Sequence, residues 1–268
     1  MKPNRIISVR PNRLRRMLAR GQAAFGPNLQ IPSPDLVEII GLAGFDFVML
    51  DGEHGAALTR LPELLLACDA AGIASLVRVP SHERSVLLPP LELGAGGVQV
   101  PFVESVEQAE TLVHMTKYAP LGGRGVSAVT RAARFGFADG GRYAPAANRE
   151  TILAVQIESL AGVENAAAIA AVRGVDLVFI GPADLAQALG EPTDRLTPAT
   201  ARVIERVIRC VAPLKPVGIS AFDGRDVARW HRLGARSFLT SSARPLQRAF
   251  SDWRAQLESG LPSTPPPS

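Results

Sequence analysis

Along this chain, short apolar runs recur between segments in which apolar and polar residues alternate with a helical period. Eight runs stand out: AAFGPNL (23–29), FDFVMLD (45–51), IASLVRVP (73–80), GVQVP (97–101), ILAVQIE (152–158), DLVFIG (176–181), PVGIS (216–220) and ARSFLTS (235–241). Most are nearly continuous rather than strictly alternating, as expected of parallel strands covered on both faces. Helices are predicted between them. Pro11–Arg20 reads as a helix that closes the bottom of the fold. Ser33 caps Pro34–Ala43, with proline at the first helical position. Leu58–Ala71 ends at Gly72, and Ser105 caps Val106–Lys117. Ala161–Val172 and the short ADLAQALG flank the sixth strand. Thr197 caps a long helix to Pro213, Asp223 caps Gly224–Leu233, and Pro245–Leu257 comes last. The helix before Gly94 contains Pro89-Pro90, which should kink it or break it into two turns. Residues 118–149 carry many glycines and no clean period, an insertion of the kind that serves function or an interface.

Eight strands alternating with helices predict an α/β fold of the (β/α)8 TIM-barrel type, as one domain over residues 1–261 with an N-terminal arm and a C-terminal helix. The Pro/Ser tail, 262–268, is expected to be disordered. A doubly wound open sheet is the competitor, but the G-x-G-x-x-G turn is missing after the first strand.

Composition narrows the function classes. Of 29 basic residues only Lys2, Lys117 and Lys215 are lysine, and the net charge is +4. The arginines are spread and accompanied by acids rather than clustered with aromatics, so no nucleic-acid partner is expected. No run approaches the ~18 apolar residues of a membrane span. The basic start lacks the apolar run and cleavage site of a secretory signal. Cys68 and Cys210 both fall in helical patterns without metal-ligand neighbours, which reads as two buried thiols in a reducing cytoplasm.

Residues at strand C-termini converge on one mouth of such a barrel. Here they include Asp51, Glu53 and His54 after strand two, Arg78 on strand three, Gln99 on strand four, Gln156 and Glu158 on strand five, and Asp184 just past strand six. Glu158 and Asp184 are the candidate ligands of a divalent metal. Two oxygen ligands suit Mg²⁺ or Mn²⁺ and leave positions for substrate and water. Glu158 could instead be a rim ion-pair residue, Asp184 a helix cap, and His54 a packed loop histidine. Arg78 needs an anion, either a substrate carboxylate or a neighbouring acid. No lysine is placed for a Schiff base, so carbon–carbon chemistry at a keto acid would require the metal to stabilise the enolate.

The motifs GFDFVMLDGEHG, LVRVP, LGAGGVQVPFVESVEQAE, YAPLGGRGVSAVTRAARFG, VQIES and VDLVFIGPADLAQALG, in this order between Gly41 and Ser242, resemble the metal-dependent HpcH/HpaI-type aldolases. The resemblance implies a pyruvate-type barrel that reversibly cleaves 4-hydroxy-2-oxo acids, including 2-keto-3-deoxy sugar acids, to pyruvate and an aldehyde. It makes Glu158 and Asp184 the ligands of Mg²⁺ or Mn²⁺, with Co²⁺ also compatible, and has pyruvate chelate the ion. The turn Gly181-Pro182-Ala183-Asp184 offers backbone N–H groups to the pyruvate carboxylate. Arg78 neutralises the enolate oxygen, and Gln156 orients ligand or water. His54, supported by Asp51, moves the proton of the 4-hydroxyl. A homo-oligomer is implied, commonly a hexamer built as a trimer of dimers with the last helix exchanged.

Three positions depart from the family pattern. Glu92 stands where an Asp usually pairs with the catalytic histidine, and Gly123 where a Glu usually precedes Arg124. Strand eight ends in TSSARP rather than Gly-Val-Asp. The first two are expected to bear on rate or aldehyde choice. A CoA-thioester lyase of the citrate-lyase β or malyl-CoA lyase type, an oxaloacetate decarboxylase and a non-catalytic barrel are the alternatives.

Overall fold

The apolar runs become eight parallel strands: β1 (Ala24–Leu29), β2 (Phe47–Asp51), β3 (Ala74–Arg78), β4 (Gly97–Val100), β5 (Ile152–Ile157), β6 (Leu177–Ile180), β7 (Val217–Ser220) and β8 (Ala235–Ser241). Each pairs with the next, and β8 returns to β1 from Ala24↔Ser237 to Asn28↔Ser241, closing a barrel. The structure is a computed structural model that describes residues 9–138 and 140–261. The expected tail at 262–268 lies outside them.

Eleven α-helices occur among the described residues. They are α1 (Arg13–Ala19), α2 (Pro34–Leu42), α3 (Leu61–Ala71), α4 (Arg84–Glu92), α5 (Val106–Thr116), α6 (Gly140–Glu150), α7 (Leu160–Ala171), α8 (Pro182–Ala188), α9 (Pro198–Val211), α10 (Gly224–Leu233) and α11 (Ala243–Glu258). The (β/α)8 expectation therefore holds. Register also builds the mouth: Asp51 lies opposite Arg78, and Arg78 opposite Gln99, so three polar side chains share one level of neighbouring strands.

Helix α1 forms the floor. Leu14 and Leu18 pack into the barrel interior against Phe47, Met49, Leu76, Ile152, Leu177 and Phe179. Asn12 caps the helix by accepting from the Arg15 N–H at 3.2 Å, which moves the start from Pro11 to Arg13. Its Nδ2 donates to the Gly96 carbonyl at 2.7 Å. Arg13 pairs with Asp46 at 2.7 Å and Arg15 with Asp176 at 2.6 Å. The other Asp176 oxygen takes the Lys117 ammonium at 2.6 Å, which also donates to the Thr151 carbonyl. Lys117 is 1% exposed. Burial lowers its pKa, with the nearby Asp176 carboxylate opposing the shift.

Several expectations are corrected. Helix α4 runs unbroken through Pro89 and Pro90. The two prolines remove only two donors, and their i−4 residues, Ser85 and Val86, lie in the solvent-facing first turn, where water can take up the freed carbonyls. The insertion contains α6, hidden in the sequence by Gly140, Gly141 and Pro145. Leu58 belongs to a 3₁₀ turn, Ala57–Arg60, rather than to α3. Cys68 is buried as expected, but Cys210 is exposed on α9, whose inner face is supplied instead by Ile204, Val207, Ile208 and Val211.

Removing Asp176 strands a buried ammonium. Asp176→Ala is expected to cost about 3–5 kcal/mol, read as a lower urea midpoint with an unchanged circular-dichroism spectrum. An unchanged midpoint would mean that this pair does not hold the floor together.

Candidate active site

The mouth opens into a cavity of about 450 Å³ whose lining includes Asn28, His54, Arg78, Gln156, Asp184 and Arg244. Its innermost anchor is Asp51, which is fully buried. Arg78 Nε donates to Asp51 Oδ1 at 3.0 Å and Nη2 to Oδ2 at 2.7 Å. Asn28 Nδ2 adds a third side-chain donor at 2.9 Å. Burial pushes the Asp51 carboxyl upward, but the hydrogen bonds and charge of Arg78 outweigh it and hold the group below its ordinary range. Oδ1 also accepts the backbone N–H groups of Glu53 and His54, both at 3.1 Å. Asp51 thus supports the loop that carries His54, not the imidazole itself. The His54 ring is 59% exposed at the rim, with Nε2 3.8 Å from Glu53 Oε2.

Arg78 retains one free edge. Nη1 lies 3.0 Å from Glu53 Oε2, an ion pair without hydrogen-bond alignment, and that oxygen is otherwise buried without a partner. Burial raises the Glu53 pKa, and the Asp51 and Asp184 carboxylates add to the effect.

Glu158 follows β5 and is 1% exposed. Phe102 N–H donates to its Oε1 at 2.9 Å, and Gln156 Nε2 to its Oε2. Gln99 Nε2 in turn donates to Gln156 Oε1, so the orientation of Gln156 is set from the neighbouring strand. Phe102 takes a left-handed backbone conformation, φ 51°, to aim its N–H at the carboxylate; a non-glycine residue there carries strain of the sort that collects at functional sites. Burial pushes the Glu158 carboxyl up to about 7, and the charges of Asp184 and Glu53 contribute in the same direction.

Asp184 is the third residue of α8. Gly181, not Asp184, occupies the cap position, so the capping alternative fails. No hydrogen bond or ion pair engages the Asp184 carboxylate among the described residues. A Cβ at Gly181 would collide with Glu158 Oε2, so only glycine lets the turn close over the carboxylate. The Gly181 N–H is spent on the Ile157 carbonyl at 3.1 Å, and Pro182 has none. Ala183 and Asp184 are therefore the N–H groups left to meet an anion.

Among the described residues no set of three or more His, Cys, Asp or Glu side chains forms a metal cage. A cation here would rest on Glu158 and Asp184, with substrate and water completing its shell. The donors fit: each Glu158 oxygen holds one hydrogen bond and keeps a further lone pair, and Asp184 is unengaged. Both present hard oxygen beside a third carboxylate, that of Glu53.

Not every candidate reaches this mouth. Glu92 lies at the end of α4, on the floor side. It accepts from Arg124 Nε and Nη2 at 3.2 and 2.8 Å, while Arg124 stacks on Tyr118. It therefore does not pair with His54 within the chain, because a helix antiparallel to the strands ends at the opposite face. Gly123 is on the same side, pressed against His114 so that a side chain would strike the imidazole. Within one chain neither residue lines the mouth cavity. Glu53, Asn28, Gln99 and Phe102 are contributors that sequence reasoning left without a role. For Glu53 and Asn28 the available signal was position at a strand end; for Phe102 there was none.

A parallel barrel with a buried Glu158 beside a half-buried Asp184, a guanidinium and a turn of free amides at its C-terminal mouth is the architecture of an enzyme acting on small carboxylates. Comparison with known proteins makes the class specific. Residues 29–250 match the family model described as HpcH/HpaI aldolase/citrate lyase, and the chain belongs to that family. It is a carbon–carbon lyase. It is 40% identical over 233 residues to the 5-keto-4-deoxy-D-glucarate aldolase of Shigella boydii, covering 85% of this chain and 89% of that protein. Among solved structures, an HpcH/HpaI aldolase/citrate lyase family protein from Burkholderia cenocepacia has 31% identity and a TM-score of 0.85, covering 92% of this chain and 99% of the other. The HpcH/HpaI aldolase from Desulfitobacterium hafniense has 29% identity and a TM-score of 0.85, covering 94% and 99%.

The raised Glu158 carboxyl has a definite sign. Folded protein keeps its proton at pH values where unfolded chain has lost it, so this group's stabilisation is complete below about 4.5. It declines up to about 7 and is absent above, a change on the order of 3 kcal/mol. In EDTA, the melting temperature of the wild type minus that of Glu158→Gln should fall between pH 5 and pH 8. A difference that is flat with pH would show that Glu158 is not held protonated.

Proposed function

We propose that this chain reversibly cleaves a 4-deoxy-5-keto hexarate, or a closely similar 4-hydroxy-2-oxo diacid, to pyruvate and a three-carbon aldehyde acid. Supporting the substrate class is the 40% identity to an aldolase named for 5-keto-4-deoxy-D-glucarate. The observation that carries the mechanism is the buried, desolvated Glu158 carboxylate beside Asp184 and Glu53, a site poorer in positive charge than its acids require.

Glu158 and Asp184 would hold Mg²⁺ or Mn²⁺, with Co²⁺ also compatible, and the bound ion would polarise the keto acid as a Lewis acid. The amides of Ala183 and Asp184 receive the pyruvyl carboxylate at the start of α8. Gln156, locked by Gln99, orients ligand or water against Glu158. His54 takes the proton from the hydroxyl next to the bond that breaks. The bond's electrons move onto the pyruvyl keto oxygen, where Arg78 Nη1 meets the developing charge, and the enolate carbon then takes up a proton. Asp51 keeps Arg78 aimed and the His54 loop in place. Glu92 has no part in this scheme within one chain.

The exposed arm α11 fits a homo-oligomer. Among its described residues none is buried, and Phe250, Trp253 and Leu257 face outward. A surface helix with such a face is expected to dock on another copy, and the hexamer implied by the resemblance is the assembly we propose. No helix among the described residues is long and apolar enough to cross a membrane. A cytoplasmic setting is proposed on the strength of the two free thiols.

Two measurements follow. With pyruvate, an aldehyde acid and Mn²⁺ or Mg²⁺, the wild type should form aldol product. Glu158→Gln and Asp184→Asn should each lose at least about 100-fold in turnover, in line with loss of a principal charge-stabilising group, and Mn²⁺ binding by calorimetry. Full activity in excess EDTA would overturn the reading. Replacing Phe250 and Trp253 together by Glu should lower the mass seen by light scattering; an unchanged mass would exclude α11 from the assembly.

A further inference from the structure

The cavity is larger than the pyruvyl end alone needs, since pockets of its size enclose whole ligands of several functional groups. Asp184, Arg78 and His54 take one part of its wall; Thr240 and Ser241 at the end of β8 and Arg244 just past it form another. These latter residues belong to TSSARP, the segment for which the reaction scheme above has no use. Two guanidinium groups face the cavity. Arg78 is held bidentately by Asp51, and its remaining edge faces Glu53 and the reacting end of the substrate. Arg244 has no carboxylate partner among the described residues, and its contact is with the Phe222 ring, 4.7 Å from guanidinium carbon to ring centroid.

The backbone around Arg244 is pinned. Ser241 Oγ accepts from the N–H groups of Ala243 and Arg244 at 3.2 and 3.4 Å, and Ser242 N–H donates to the Asn28 carbonyl at 3.1 Å. The Phe222 face removes freedom from the side chain and leaves its donors outward. Nearby, Asn28 gives its amide N–H to Asp51, which leaves Oδ1 as a buried acceptor without a partner. A hydroxyl is the natural group to fill it.

We propose that Arg244 binds the carboxylate at the far end of the substrate, and so selects aldehydes that carry an acid group over neutral aldehydes of the same length. The inference rests on the aldolase reading above. A second carboxylate entering a mouth already rich in Asp and Glu must meet a cation, and Arg244 is the guanidinium on this wall with no internal anion to satisfy. Asn28 Oδ1 would accept the hydroxyl beside that acid group, giving the aldehyde half two polar anchors.

The test compares pyruvate addition to 2-hydroxy-3-oxopropanoate with addition to glyceraldehyde, in wild type, Arg244→Gln and Arg244→Lys. Wild type should favour the acid. Arg244→Gln should cut the ratio of the two kcat/KM values by about 10- to 100-fold, the range for one charged hydrogen-bonded contact. The change should fall mainly in the KM for the acid, and Arg244→Lys should restore part of the ratio. An unchanged ratio in Arg244→Gln overturns the proposal. Solvent deuterium exchange into the pyruvate methyl group, followed by NMR in wild type, separates the two levels. Exchange with an unchanged ratio removes only Arg244, whereas no exchange removes the aldolase reading and this inference with it.

Discussion

The bidentate pair between Arg78 and Asp51 is the interaction on which the mouth depends. It joins two adjacent strands at the level where the barrel stops being apolar, and it uses two of the guanidinium's donors without exhausting them. A fully buried carboxylate would otherwise lose its charge or unfold its surroundings. Once Asp51 is fixed as an anion, its remaining lone pairs organise the Glu53–His54 turn and the Asn28 amide. Four acids then crowd one opening, and the two that lack a cation are the two from which metal chemistry is expected.

The two ends of the barrel divide the work. At the floor, Lys117, Arg13, Arg15 and Arg124 each meet an acid, and Glu92 Oε2 is the one buried oxygen of these pairs without a hydrogen-bond partner among the described residues. At the mouth, oxygens are left without partners and one backbone residue is strained. The division follows from strand polarity, since loops that leave the C-terminal ends are free to hold functional groups while the N-terminal ends are sealed by α1.

Much of the fold was legible because a strand buried on both faces must be apolar along its length, and eight such runs are difficult to arrange otherwise. The ligand candidates Glu158 and Asp184 were legible for a related reason: an acid immediately after such a run has nowhere to go but the mouth. What failed to show has physical causes. Helix α6 is stabilised by packing of Tyr143 and Ala147 against Tyr118 and Ala133, contacts invisible to local propensity. Glu92 carried the right charge in the right motif, but α4 delivers it to the floor. Phe102 contributes through its backbone, which no side-chain pattern records, and the burial of Glu53 depends on a loop folding back over Arg78. Cys210 occupies an apolar-looking helix on the side that faces water.

Helix α11 starts at the mouth and then leaves the barrel, so its first turn and its last belong to different surroundings. Arg244 is in the first turn; Phe250, Trp253 and Leu257 need cover further out. A lever of this kind ties a specificity wall to quaternary contact: whatever grips the outer part of the helix also sets how firmly the inner part is held. Dilution, crowding and surface mutations far from the barrel then become variables of substrate choice rather than of stability alone. Drift in an apparently neutral arm could retune what the enzyme accepts while the carboxylates at its centre stay unchanged.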